Sequence, residues 1–176
     1  MKKFKTSCLA FGLTLAMMAS CQSGEKAADT TVSGLNPAAF DSTINGKKTA
    51  LFTLKNSNGM EVCITNFGAR VVSLVVPDKD GKPTDVVLGY DNIAQYADIE
   101  NSPSDFGSSV GRYANRINQG KITVDGKDYQ LPQNNFGHCL HGGPTGWMYQ
   151  VYDAEQVNDS TLKMTIVSPD GDNNFP

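Results

Sequence analysis

Hydrophobic and polar positions along the chain alternate in short runs, and the runs are spaced by turn residues. Met60–Asn66 (MEVCITN) sets Val62 and Ile64 against Cys63 and Thr65, the period of two expected of a half-buried strand. Phe67-Gly68-Ala69 interrupts it, and an apolar run over Val71–Val76 predicts a second strand that Pro77-Asp78 ends. Asp80-Gly81 marks a turn, after which Asp85–Gly89 (DVVLG) reads as another short strand. Lys121–Val124 and Lys127–Leu131 flank Asp125-Gly126, a pair suited to the positive φ angles of a type I′ hairpin. Trp147–Val157 and Thr161–Val167 are expected to pair across Asn158-Asp159-Ser160. Helical character is limited to one turn over Asp91–Ala97. Many short strands with turns between them predict an all-β fold, a sandwich or a barrel, and local pattern does not choose between the two.

The N-terminus follows a different rule. Met1–Lys5 is basic, and Leu9–Ala19 is apolar and small, too short to be a comfortable permanent membrane span. This reads as a secretory signal. It ends in Met18-Ala19-Ser20-Cys21, which resembles a bacterial lipobox with Met18 in the usual Leu position. Cleavage before Cys21 and acylation of its sulfur are therefore expected. Each buried CH₂ of an acyl chain contributes about 0.8 kcal/mol, enough for a multiply acylated Cys to hold a domain on a membrane. Gln22 rather than Asp follows the Cys, which favours the outer membrane of a Gram-negative envelope. From Gln22 to Leu35 small and polar residues prevail, too little apolar surface to offset ordering entropy. The expected organisation is a signal peptide over 1–20, a lipidated Cys and tether over 21–37, and a folded region over 38–176.

Charge and cysteine usage narrow the function classes. With 15 basic and 18 acidic side chains the formal charge is −3, and no basic cluster follows Lys5, which argues against nucleic acid as a partner. Beyond Cys8 and Cys21 only Cys63 and Cys139 remain, and isolated buried thiols are the expectation for them. His138 and His141 are the only His residues, short of a zinc ligand set, so no metal site is expected. Gly107–Gly111 (GSSVG) matches a nucleophile elbow formally through Ser109, but lacks the strand-to-helix context that motif requires.

The richest stretch is Gly111–Gly143, GRYANRINQGKITVDGKDYQLPQNNFGHCLHGG. Its GRYANRI followed by LHGG closely resembles the core signature of the aldose 1-epimerase (galactose mutarotase) family. Thr65–Ala69, Val76–Asp78, Asp85–Tyr90 and Ser168–Pro176 resemble further family elements in family order, extending the likeness over about residues 45–176. The resemblance implies a large antiparallel β-sandwich with a sugar site on one concave face. The implied reaction opens a hemiacetal ring and recloses it, with a base taking the C1 hydroxyl proton and an acid protonating the ring oxygen.

Taken alone, Arg116 reads as a structural ion-pair partner and His141 as a satisfied loop imidazole. By resemblance, Asn115 and Arg116 clamp the sugar, the Arg through its rigid fork of donors, and His141 is the first active-site His, binding and polarising the ring-oxygen side. The glycines after His141 are expected to permit a tight turn and leave room for a ligand. Phe106, Tyr113 and Trp147 are candidates for stacking on a sugar face, although core packing is their commoner fate. The family's second His, a sugar-binding Asp and the Glu base lie in later strands. The chain therefore reads as the N-terminal part of an incomplete sandwich, expected to be inactive and poorly folded alone. The full-length protein is expected to be a monomer acting on a hexose, needing no organic cofactor; calcium is compatible but not legible. The alternative reading is a carbohydrate-binding envelope lipoprotein without turnover.

Overall fold

The computed structural model describes residues 30–176. Cys21 and the signal lie outside the described residues. The regular elements are mostly antiparallel strands, as expected, and no closed barrel forms among the described residues.

Two short strands, β1 (Ser42–Ile44) and β2 (Lys47–Thr49), are turned by Asn45 and Gly46, both at positive φ. The central sheet follows: β3 (Leu51–Lys55), β4 (Glu61–Thr65), β5 (Arg70–Pro77) and β6 (Pro83–Asp85), in that spatial order. Helix α1 (Ile93–Ala97) is capped by Asn92, whose side chain accepts from Gln95 N–H, so the helical turn stands where it was expected. Strand β7 (Arg116–Ile117) pairs with β10 (Cys139–Leu140) around the hairpin of β8 (Lys121–Val124) and β9 (Lys127–Gln130). Asp125 at φ 51 and Gly126 at φ 78 supply the type I′ turn. The last pair is β11 (Asp153–Asn158) with β12 (Thr161–Thr165).

The period of two in β4 holds, but the apolar residues are not the ones most deeply buried. Glu61, Cys63 and Thr65 are buried, while Val62 and Ile64 are half-buried on the other face with Leu54 and Leu74. Glu61 tolerates this because its Oε1 accepts from Val32 N–H at 2.6 Å and its Oε2 lies 3.0 Å from Lys55 Nζ. The same bond changes the expected tether. Residues from Thr31 onward belong to the packed body, with Thr31 and Leu35 buried, because a carboxylate 29 positions away captures the backbone.

Two strand expectations are corrected. Of Asp85–Gly89 only Asp85 is in a strand. Its Oδ1 accepts from both Leu74 N–H and Val87 N–H, replacing ladder bonds, and the chain leaves the sheet with Leu88 82% exposed. Trp147–Tyr149 is a 3₁₀ turn, and β11 begins only at Asp153. Between them, residues 150–152 pair with the segment after β4: Gly68 N–H donates to Gln150 O, and Tyr152 N–H to Asn66 O.

The main core gathers Phe40, Cys63, Phe67, Val72, Ile93, Tyr96 and Val151. A smaller cluster holds Ile117, Leu131, Cys139 and Phe175 beneath β7 and β10. Cys63 and Cys139 are free thiols in separate clusters.

Candidate functional site

Register brings the three predicted residues together. Pairing of β7 with β10 sets Arg116 opposite Leu140, so Asn115 and His141, one residue outside each strand, meet at the edge. Their backbones interlock: His141 N–H donates to Asn115 O at 3.1 Å, and Asn115 N–H donates to the His141 ring Nδ1 at 2.9 Å. Both residues have positive φ, 67° and 53°, which aims the side chains away from an ordinary strand direction. Asn115 Oδ1 accepts from Arg116 N–H at 2.8 Å. Arg116 Nε donates to Asn135 Oδ1 at 2.9 Å, which holds the guanidinium plane while the side chain stays exposed.

The glycines after His141 have a reason more specific than freedom to turn. A Cβ on Gly142 would lie 1.9 Å from Gly111 O, so the space beside this residue is filled by the backbone of the GRYANRI segment rather than left for a ligand. Gly111 in turn lies against the Trp147 ring, where a Cβ would come within 2.0 Å of a ring carbon. The signature is thus held together by close backbone contacts that only glycine permits.

Two groups that sequence reasoning did not single out complete the site. Asp105 Oδ2 lies 3.9 Å from His141 Nε2, and Asp105 Oδ1 accepts from the Tyr149 hydroxyl at 3.3 Å. Burial, then the Asp105 charge, pushes the Tyr149 hydroxyl above its ordinary pKa and keeps it a donor. No local signal marks either residue: Asp105 stands in a loop ahead of GRYANRI and Tyr149 in the turn just after the HGG loop, and they join through a contact between positions 44 residues apart. Below them Arg70, fully buried, donates through Nη1 to Ser104 O at 2.6 Å and through Nη2 to Met148 O at 3.2 Å, tying down both loops.

The remaining candidates fall elsewhere. His138 Nδ1 accepts from Gln119 N–H, and no group of three or more metal-ligating side chains gathers among the described residues. Ser109 sits in a loop with its hydroxyl donating to Ala69 O, away from any strand-to-helix turn. Phe106 and Tyr113 are exposed, whereas the Trp147 ring is committed to Gly111.

Fold and site define a mainly antiparallel β protein of the galactose mutarotase type, with a polar Asn-Arg-His cluster on an exposed edge. Residues 50–176 match the sequence profile of the family described as aldose 1-epimerase. The chain belongs to that family. It is 41% identical over 120 residues to a galactose mutarotase from Rattus norvegicus, covering 68% of this chain and 34% of the relative. It is 33% identical over 150 residues to a probable aldose 1-epimerase from Arthroderma benhamiae, covering 84% and 34% respectively. The crystal structure of an aldose epimerase homologue from C. elegans superposes with a TM-score of 0.66 at 32% identity, over 72% of this chain and 38% of that one. The chain spans about a third of the length of the curated relatives it matches.

Proposed function

We propose that the protein interconverts the α and β anomers of hexoses such as glucose and galactose, with Asn115, Arg116 and His141 holding the sugar. The observation that supports this reading is that those three residues adjoin at the β7–β10 edge, with Asn115 and His141 interlocked by two hydrogen bonds. A loosely held ring presents the wrong oxygen, so orientation is the first requirement of the reaction. The exposed guanidinium of Arg116 offers a planar set of donors, and Asn115 adds an amide. His141 acts as the auxiliary group on the ring-oxygen side. By the family resemblance the principal acid and base belong to later strands, and no described residue is assigned those roles. Proton transfer of this kind needs no organic cofactor. Acylation at Cys21, outside the described residues, would hold the enzyme in the cell envelope facing a sugar-containing compartment.

Isothermal titration of galactose or glucose into the protein carrying the later strands tests the clamp. Saturable binding that Arg116→Ala weakens at least tenfold, about 1.4 kcal/mol, is the expected result; absence of saturable binding sinks it. Polarimetry on freshly dissolved α-galactose tests the reaction. The chain alone should leave the buffer rate unchanged, while the protein with the later strands should accelerate it. Binding without acceleration in the latter would identify a carbohydrate-binding protein instead.

A further inference from the structure

Resting on the hexose site proposed above, we propose that Asp105 is a positioning residue that, opposite the Asn115 amide, holds His141 with its proton on Nε2. Each neighbour of the ring limits where that proton can sit. A backbone N–H only donates, so the Asn115 N–H 2.9 Å from His141 Nδ1 requires a lone pair there. A neutral imidazole carries one ring proton, which then resides on Nε2. That nitrogen faces the Asp105 Oδ2 at 3.9 Å. The separation is too long for a hydrogen bond yet short enough for a carboxylate to favour a ring N–H over a lone pair pointed at it. Reversing the tautomer would bring two N–H groups together at Nδ1 and two electron-rich atoms together at Nε2. Both flanks of the ring therefore select the same state.

Asp105 is itself fixed by independent contacts. Tyr149 O–H donates to its Oδ1, and Ser108 donates through both backbone N–H and hydroxyl to its carbonyl, at 3.3 Å and 2.6 Å. The preceding carbonyl, Ser104 O, takes the 2.6 Å bond from buried Arg70. A carboxylate on a loop so anchored presents a steady charge rather than a wandering one. Because Asp105 stops short of hydrogen-bond distance, the Nε2–H remains available as a donor. An N–H donor next to a sugar oxygen polarises that oxygen, which is the auxiliary role given to His141. Asp105 acts on the sugar through His141, and the GRYANRI and LHGG segments contain neither it nor Tyr149.

Long-range ¹H–¹⁵N NMR of the ¹⁵N-labelled chain, under conditions where His141 is neutral, reads the tautomer without any sugar present. The wild-type spectrum should show a bare Nδ1 and a protonated Nε2; a proton on Nδ1 overturns the proposal. Asp105→Asn keeps the volume and removes the charge, and should raise the Nδ1–H population several-fold, moving the two nitrogen shifts toward each other. Asp105→Glu should restore the wild-type pattern. An unchanged spectrum in a folded Asp105→Asn variant overturns the role of Asp105. Should that variant not fold, Tyr149→Phe, which frees the carboxylate without removing it, should produce the same displacement in smaller measure, and no displacement overturns the proposal. Hexose added to the wild type separates the two readings. Unmoved His141 and Asn115 signals would defeat the sugar site, while the tautomer result would stand or fall on the variants.

Discussion

At the scale of single residues, Arg70 has the least expected environment. It is fully buried and has no carboxylate within ion-pair distance among the described residues. Two backbone carbonyls and the Tyr96 ring, 4.7 Å from the guanidinium carbon, meet its charge instead. Burial pulls its pKa below the usual arginine value, the cost of desolvation outweighing the nearby tyrosines and Asp105. Removing the side chain would leave the carbonyls of Ser104 and Met148 without these donors and open a cavity between the loops that carry Asp105 and Tyr149. Arg70→Ala should therefore cost about 3–5 kcal/mol, measured as the shift in urea unfolding, and should disorder the His141 surroundings as well. Arg116, by contrast, is exposed, so Arg116→Ala is expected to change stability little while weakening sugar binding. The two arginines look alike in sequence, and burial separates their roles.

At the scale of elements, two glycines separate conformational need from packing need. Gly126 closes the β8–β9 hairpin at φ 78, and a Cβ there would meet nothing within 4 Å, so Gly126→Ala meets only backbone strain. A cost of about 1–2 kcal/mol is expected, with the site's NMR signals unchanged. Gly142 has φ 85 and the carbonyl of Gly111 at 1.9 Å from a Cβ. Gly142→Ala must push the HGG loop from the GRYANRI segment, and should cost more than Gly126→Ala while abolishing sugar binding. Equal losses in the two variants, read by thermal unfolding and titration together, would contradict this difference in role. The hairpin was legible because its turn is set by two adjacent residues. The strand expected over Asp85–Gly89 was not, because the Asp85 side chain takes over bonds from a neighbouring strand eleven residues back.

For the molecule as a whole, the buried thiols and phenols set the pH response. Burial raises the pKa of Cys63, Cys139, Tyr96, Tyr149 and Tyr152 above their ordinary values. A group whose folded pKa is raised contributes stability that is complete below its unfolded pKa and lost as pH rises through the folded one. The urea midpoint should hold steady through neutral pH and fall above about pH 8.5, where unfolded thiols begin to ionise. Replacing both with Ala should delay the fall toward about pH 10, where the tyrosines take over; an unshifted onset would show that the thiols do not control it. Turn chemistry, strand period and the GRYANRI and LHGG segments were determined by the sequence itself, since each rests on residues a few positions apart. That local information carried the β class, the hairpin, the family resemblance and the choice of Asn115, Arg116 and His141. Tertiary structure alone decided which face of β4 is buried, how early the packed body begins, and that Asp105 and Tyr149 stand beside His141. Those outcomes depend on contacts between distant segments, the Val32 N–H on Glu61 and the loops gathered by Arg70, and hydrophobic period carries no record of a buried carboxylate or a distant carbonyl.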